Sequence, residues 1–314
     1  MKYKPIPLKE IKAAQKRIAQ DVVRTPLIKL NIDDAPAEIY LKLENLTPIR
    51  SFKIRPASNA LRSMDKKQLE NGVWTVSAGN FSQGLAWMAR KLGVKCTVAL
   101  SETTPQSKIK KTEQLGAKVI KLPPKDNVDL FYSRTLEGMK GTFVHPSNDP
   151  IVMAGGGTIG VEIVEDLPDV DTVVLPWGCG GFACGVASAM KALKPDVKVF
   201  TSELETSVKL ANVFKKDIVL TDGREQLVFP ELVDLAHQLV DDSLVVSLKE
   251  TAEAIKLMVE RNCIVAEGKA AVAIAAALSG RAGKGKIACV VTGGNLDTEK
   301  LVKVLNGELP KLWG

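Results

Sequence analysis

Four short segments carry residue types from which a reaction could be built. The first is Leu46-Thr47-Pro48-Ile49-Arg50-Ser51-Phe52-Lys53-Ile54-Arg55, lying between a predicted strand (Ile39 to Leu43) and a predicted helix (Phe52 to Met64). Ser51 is the expected N-cap of that helix, because its hydroxyl can accept from an otherwise orphaned backbone N–H. A lysine in the first turn opposes the helix dipole, which favours anions there. Lys53 therefore makes better sense as an amine that gives up its charge and condenses with an aldehyde. Alone the motif is weak, since the chain holds 43 Lys+Arg and most such groups are simply solvated.

The other three segments are strand ends. Ser77-Ala78-Gly79-Asn80-Phe81-Ser82-Gln83-Gly84 offers backbone N–H groups at a helix start, where a carboxylate or phosphate can sit. Gly79 permits close approach, and Asn80 adds a side-chain donor and acceptor. Val173-Val174-Leu175-Pro176-Trp177-Gly178-Cys179-Gly180-Gly181-Phe182 runs from a strand through a glycine-rich turn into a helix, the physics of a phosphate cup. The same stretch fits G-x-G-x-x-A through Gly178, Gly180 and Ala183, with Glu203 where a ribose-binding acid belongs, so a dinucleotide site is a rival there. In Val290-Val291-Thr292-Gly293-Gly294-Asn295 the Thr292 hydroxyl could meet a heterocyclic nitrogen. Each loop alone is also an ordinary strand-to-helix turn. Together they suit an aldehyde cofactor with a phosphate and a ring nitrogen, plus an amino acid carboxylate. A nicotinamide dinucleotide would leave Lys53 and the Ser77–Phe81 loop without work.

Positioning these loops requires alternating strands and helices. Helices are predicted over Leu8 to Val22, Phe81 to Leu92, Asn127 to Met139, Asp149 to Asp166, Gly181 to Leu193 and Leu204 to Phe214, with another started by Thr104 and Pro105. Apolar strands at Gly72 to Val76, Cys96 to Leu100, Ala117 to Leu122, Thr172 to Pro176, Val197 to Thr201 and Lys286 to Thr292 separate them. The pattern predicts parallel sheets covered on both faces, in two α/β lobes with the ligand in the cleft. Lys215 to Pro230 reads as a polar excursion.

Composition narrows the function. Of 314 residues, 45% are hydrophobic and 25% charged, as in a globular protein with a large core. Aromatics at 5% argue against a base-stacking nucleic-acid platform, and the net +7 is spread along the chain. Its densest group, Lys108, Lys110 and Lys111 beside Glu113, reads as a solvated helix face. The positive balance also suits an anionic small molecule. Five scattered cysteines (Cys96, Cys179, Cys184, Cys263, Cys289) without zinc spacing indicate a reduced, cytoplasmic setting, and two histidines exclude a His-rich metal site. No secretory h-region opens the chain, and the longest apolar run, Ala270 to Leu278, is too short to span a membrane. With the last predicted helix close to Gly314, no appended regulatory domain is expected.

Through nearly its whole length the chain resembles the fold-type II pyridoxal-phosphate enzymes of the serine/threonine dehydratase and serine racemase group. The resemblance rests on Arg24-Thr25-Pro26-Leu27, Ser51 to Arg55, Ser77 to Asn80, His145-Pro146 with Asp149-Pro150, Gly178 to Phe182 and Thr292 to Asn295, in that order. It implies a two-domain, tryptophan synthase β-like α/β fold: a large cofactor-binding domain of residues 1–41 plus 146–314, and a small mobile domain of 42–145. It implies Lys53 as Schiff-base lysine and base at Cα, with Phe52 and Phe182 beside pyridoxal 5′-phosphate. Asn80 would bond the ring hydroxyl, Gly178, Cys179, Gly180 and Gly181 would wrap the phosphate, and Thr292 would face the pyridine nitrogen. The substrate carboxylate would lie on Ser77, Ala78, Gly79, Asn80 and Phe81. Thr221-Asp222-Gly223 would correspond to the family's Ala-Asp-Gly. The resemblance also implies a homodimer or homotetramer and a mono- or divalent cation, with Glu203 a possible ligand.

Several positions depart from the family. Cys179 replaces a glycine of the phosphate loop, Pro56 follows the Lys-x-Arg, and Phe81 stands where histidine is common. Arg50 stands where glycine is common, placed either to meet an acidic substrate group or to point to solvent. Ala78 occupies the place of the racemase's proton-donating serine and cannot donate. Elimination needs one base, so the expected activity is dehydration of a β-hydroxy amino acid to a 2-oxo acid and ammonia. An amino-acid racemase, a β-replacement synthase and a non-catalytic dinucleotide-binding protein remain the alternatives.

Overall fold

Consecutive apolar positions at Val173-Val174-Leu175 and Ile287-Ala288-Cys289-Val290 mark strands buried on both faces, and in the computed structural model they form the centre of a six-stranded sheet. The structure describes residues 3–215 and 229–309. In chain order the strands are β1 (Leu27–Lys29), β2 (Glu38–Lys42), β3 (Val73–Val76), β4 (Cys96–Ser101), β5 (Lys118–Leu122), β6 (Thr142–Phe143), β7 (Thr172–Pro176), β8 (Lys198–Leu204), β9 (Asp242–Val246) and β10 (Lys286–Val290). The large sheet has the order β1-β2-β10-β7-β8-β9, parallel except for β1 against β2. The second sheet, β5-β4-β3-β6, is wholly parallel.

The helices are α1 (Leu8–Ile18), α2 (Ile54–Arg62), α3 (Lys66–Glu70), α4 (Asn80–Leu92), α5 (Gln106–Gln114), α6 (Pro124–Ser133), α7 (Pro150–Asp166), α8 (Gly181–Leu193), α9 (Leu210–Lys215), α10 (Pro230–Leu239), α11 (Leu248–Asn262), α12 (Gly268–Leu278) and α13 (Thr298–Leu305). Parallel strands place their C-terminal ends along one edge, so the loops after β3, β7 and β10 all open toward the cleft between the sheets. No helix among the described residues is long and apolar enough to cross a membrane.

The expected α/β architecture holds, with local corrections. Helix α2 begins at Ile54 with Lys53 at its N-cap, not at Phe52. Residues 50–52 are drawn instead into an antiparallel bridge, Ser51 to Gly293. Ser51 is not the cap: its Oγ donates to the Thr292 carbonyl at 3.1 Å and receives only a long 3.4 Å contact from the Lys53 N–H. Helix α6 starts three residues earlier than Asn127 and ends at Arg134 in the left-handed region (φ 60), because Pro123-Pro124 presets its first turn. Pro105, not Thr104, flanks α5. Where one helix was expected over Leu204 to Phe214, β8 continues to Leu204 and only α9 follows. The sequence reading passed over β9, α10 and α11. Thr221-Asp222-Gly223 lies outside the described residues.

One buried charged network fixes α2 against α7. All five N–H donors of Arg55 are used. Nε and Nη2 hold Glu44 at 2.8 and 2.9 Å, Nη1 and Nη2 hold Glu162 at 2.6 and 2.8 Å, and Nη1 also meets Thr158 Oγ1 at 3.1 Å. Lys42 Nζ adds a second cation 2.7 Å from Glu162. Burial alone would raise the Glu162 carboxyl, but hydrogen bonds and charge from Arg55 and Lys42 hold it below the usual carboxylate range. Removing one side of such a network strands the other in the interior. Arg55→Met is expected to destabilise the protein by about 3–5 kcal/mol in urea unfolding, and a loss under about 1 kcal/mol would show that the network contributes no more than a surface pair.

Candidate active site

Lys53 reaches the cleft from the turn that precedes α2. The bridge holding this turn is continuous: the Phe52 N–H donates to the Thr292 carbonyl at 3.0 Å, and the Gly294 N–H to the Arg50 carbonyl at 2.9 Å. Thr47 Oγ1 closes the turn, donating to the Ser51 carbonyl and accepting from the Ser51 N–H, both at 2.9 Å. The Lys53 amine donates to the Pro146 carbonyl at 2.9 Å and lies 4.9 Å from the Phe52 ring centre and 5.4 Å from that of Phe81. Burial pushes its ammonium down to about 8, with the nearby Cys179 sulfur pulling the other way. The residue as a whole is half-buried, and its amine is desolvated.

The carbonyl that receives the amine is itself positioned. His145 Nδ1 accepts from the N–H groups of Ser147 (3.0 Å) and Asn148 (2.7 Å), curling the chain around Pro146. Its ring packs among Phe131, Phe143 and Phe229. Burial, then the charge of Arg134, lowers the imidazolium to about 3, so His145 is a neutral clamp rather than a proton carrier near neutral pH. Ser147 Oγ accepts from the Gly181 N–H at 3.1 Å and donates to the Cys179 carbonyl at 3.3 Å, joining this turn to the glycine-rich loop. The Phe52 and Phe182 rings meet at 4.3 Å.

The loop after β3 enters from the other sheet. Ala78 and Gly79 are exposed, Ser77 and Asn80 half-buried, and Phe81 lies 2% exposed in the wall beside Lys53. Asn80 ties this loop to the far side: Nδ2 donates to Glu267 Oε1 at 2.8 Å, and Oδ1 accepts from Asn295 Nδ2 at 2.9 Å. One Nδ2 hydrogen remains for a ligand oxygen. Glu267 escaped the sequence reading; an acid before an alanine-rich helix, 187 residues from its partner, gives no local sign of facing the cleft. Burial raises its carboxyl above the ordinary range, while Lys269, Asn80, Lys108 and Lys111 lower it.

Of the two placements expected for Arg50 the exposed one is found, and Glu203 is already engaged. Arg50 is exposed at φ 55, the left-handed region that favours glycine, and among the described residues its guanidinium has no partner. Its backbone, not its charge, joins the site. Glu203 is no free acid for ribose or cation. Its carboxylate accepts from the N–H groups of Lys209, Leu210 and Ala211 at 2.8, 3.1 and 2.7 Å and from Ser243 Oγ at 3.1 Å. Among the described residues no cluster of three or more His, Cys, Asp or Glu side chains could hold a metal.

The loop after β7 is shaped for a ligand. Gly180 needs its φ of 90, and a Cβ on Gly181 would lie 2.2 Å from the Ser147 carbonyl. At Gly178 nothing in the protein demands glycine: a Cβ there would find no atom within 4 Å. The missing side chain keeps that space open above free amides and the start of α8, a cradle for phosphate. At the opposite end Thr292 is 6% exposed, and its hydroxyl has no partner among the described residues. Amine, cradle and hydroxyl fit pyridoxal phosphate.

A desolvated amine set between a phosphate cradle and a free hydroxyl, in a cleft at strand C-termini, defines an enzyme that works through a phosphorylated aldehyde. The chain belongs to the pyridoxal-phosphate dependent enzyme family, whose sequence profile matches residues 18–293. It is 38% identical to the L-threonine ammonia-lyase of Thermotoga maritima, over 98% of this chain and 80% of that protein. It is 35% identical to the catabolic L-threonine dehydratase of Staphylococcus aureus, over 96% of this chain and 92% of that one. The structure of maize serine racemase superposes with a TM-score of 0.87 at 28% identity, covering 97% of this chain and 98% of that chain.

Two measurements test this geometry. Acylation of Lys53 in the cofactor-free protein, followed by peptide mass spectrometry, should rise with pH to half its maximum near 8, as the amine deprotonates; a midpoint near the ~10.4 of free lysine would refute its desolvation. Gly178→Ala should leave the melting temperature unchanged yet weaken pyridoxal phosphate binding roughly tenfold or more, whereas Gly181→Ala should lower the melting temperature.

Proposed function

We propose that the protein is a pyridoxal-phosphate-dependent ammonia-lyase that converts a β-hydroxy amino acid, threonine or serine in the simplest case, to a 2-oxo acid and ammonia. The observation carrying the proposal is the Lys53 amine on the Pro146 carbonyl, in a cleft whose loop after β3 carries Ala78 and no second proton donor at that position. When bound, the cofactor supplies an aldehyde that condenses with amines and a ring that withdraws electrons from the substrate's Cα. In this reading the amides of Gly79 to Phe81 at the start of α4 hold the substrate carboxylate, assisted by Ser77. Asn80, steadied by Glu267 and Asn295, orients the ring hydroxyl. Phe52, packed against Phe182, lies beside the ring, the Gly178–Gly181 loop holds the phosphate, and the Thr292 hydroxyl faces the ring nitrogen.

Lys53 then serves as the base. Burial brings its amine down to about 8, so the neutral form is within reach near neutral pH; it takes the proton from Cα, the Cα–H electron pair forms the Cα–Cβ double bond as the Cβ–O bond breaks, and the hydroxyl leaves as water with the proton that Lys53 had removed. Hydrolysis of the resulting enamine, after tautomerisation, gives the 2-oxo acid and ammonia. Racemisation would need a second proton donor on the opposite face, and the methyl of Ala78 offers none. The names of the two threonine-cleaving relatives support the same reading. We also propose the four-stranded part, residues 42–145, as a small lobe moving against the rest, a homodimer or homotetramer as the assembly, and a cytoplasmic setting. Burial pushes the Cys96 and Cys184 thiols up to about 12, as suits thiols that stay reduced.

Two outcomes are expected. Lys53→Ala should abolish 2-oxo acid formation from threonine and serine, and hydride trapping of the wild type should leave the cofactor's mass on the peptide containing residue 53. Undiminished turnover by the variant would overturn the assignment. Glu267→Ala should weaken cofactor binding by roughly tenfold, read from the cofactor's own absorbance, through the loosened Asn80.

A further inference from the structure

We propose that Gly84 is a positioning residue for Lys53: its missing side chain lets α4 seat directly on the Lys53 peptide, so that one helix sets the distance between the substrate's carboxylate and the base. This deepens the lyase reading and rests on it for the reaction; the contact itself stands on geometry.

The carboxylate seat and the contact are one turn apart on α4. Its first residues, Asn80 and Phe81, carry amides of the proposed carboxylate seat. Phe81, Gly84 and Met88 are spaced to share one face of the helix. The Phe81 ring centre lies 5.4 Å from Lys53 Nζ, and Met88 Sγ accepts from Ser58 Oγ at 3.4 Å. Between them, a Cβ on Gly84 would lie 2.7 Å from the Lys53 carbonyl oxygen, 3.0 Å from its carbon and 3.3 Å from Ile49 Cδ1. Non-bonded heavy atoms settle at roughly 3.5–4.0 Å, so not even a methyl group enters without moving backbone.

The Lys53 peptide has no room to retreat. Its carbonyl accepts from the Ala57 N–H at 3.2 Å, and the preceding Phe52 N–H is tied to Thr292. From α7, against the face of α2 that carries Arg55 and Asn59, a Cβ on Gly155 would lie 2.7 Å from Pro56 Cα and 2.9 Å from the Arg55 carbonyl oxygen. The start of α2 is thus held between α4 and α7 at backbone distance on both sides. A group added at position 84 must therefore push α4 away, and the carboxylate seat goes with the helix. The base then stands too far from the Cα it deprotonates, where an error on the order of 1 Å costs about a hundredfold in rate.

The test compares Gly84→Ala with Gly160→Ala in the full chain. A Cβ on Gly160 would also press on backbone, 2.9 Å from the Val186 carbonyl oxygen, but where α7 meets α8 rather than at Lys53. Both variants should lower the melting temperature. Only Gly84→Ala should raise the pH midpoint of Lys53 acylation in the cofactor-free protein, by about half a unit or more, as Phe81 draws back with α4 and water reaches the amine. The titratable neighbours of that amine, Cys179 and His145, come from other elements and are common to both variants. With serine or threonine, Gly84→Ala should lower kcat roughly tenfold or more and leave KM and the cofactor's absorbance close to wild type, because the amides and the phosphate loop are intact. Adding Ile49→Val removes the side-chain part of the clash and should recover stability without recovering kcat; where Gly84→Ala alone fails to fold, this double variant carries both readouts. A midpoint and a kcat left at wild-type values, or changes matched by Gly160→Ala, overturn the positioning role and leave the lyase reading intact. A midpoint raised only by the change at Gly84, in a protein whose wild type forms no 2-oxo acid from any β-hydroxy amino acid, supports the contact and overturns the lyase reading.

Discussion

A two-residue backbone splice sets the position of everything reactive in this protein. Ser51 and Gly293, far apart in sequence, pair as a single antiparallel bridge, flanked by hydrogen bonds from Phe52 to Thr292 and from Gly294 to Arg50. The splice fixes the root of Lys53 and the Thr292 hydroxyl in one frame, so the distance between amine and hydroxyl is backbone geometry rather than side-chain chance. It also holds the chain in the left-handed turn at Arg50, a conformation that glycine adopts more easily than arginine. The strain is of the kind that settles where the surrounding structure over-determines the backbone.

Around this frame the site is held from three directions by groups of different character. From below, the Arg55 network locks α2 to α7 with charges that have no access to water. From the side, the neutral His145 curls the chain so that a carbonyl, and no charged group, meets the Lys53 amine. A carbonyl accepts from the amine in its neutral or charged form, and the low dielectric around it favours the neutral form. From above, the Glu267–Asn80–Asn295 chain joins the two sheets at the cleft. Rigid charge below and adjustable polar contacts above give a fixed base facing a loop free to settle on its ligand.

Much of this was legible in the residue order. Lys53, the Gly178–Gly181 turn and Thr292 announced themselves because their chemistry depends on residue type at a strand end, which sequence displays directly. The parallel sheets were legible for the same reason, since strands buried on both faces are apolar at every position. What sequence could not display was pairing across long separations. Nothing in Ser51 says that its hydroxyl will turn to Thr292 rather than cap α2, and nothing in Glu203 says that its carboxylate will be consumed by the start of α9. Lys108 looked solvated because its helix is polar in sequence, yet it is half-buried. Glu267 was invisible because its partner arrives from the other sheet.

The strand order has a consequence for the newly made chain. Strand β10 lies at the middle of the large sheet, between β2 and β7, although it follows both of them in the chain. Until residue 290 leaves the ribosome, β2 and β7 have no neighbour to join them, and the turn bearing Lys53 has no Gly293 to anchor it. A nascent polypeptide therefore presents an unrestrained lysine and an open seam until β10 is made. A vitamin-derived ligand thus finds its pocket only once this late strand has closed the seam.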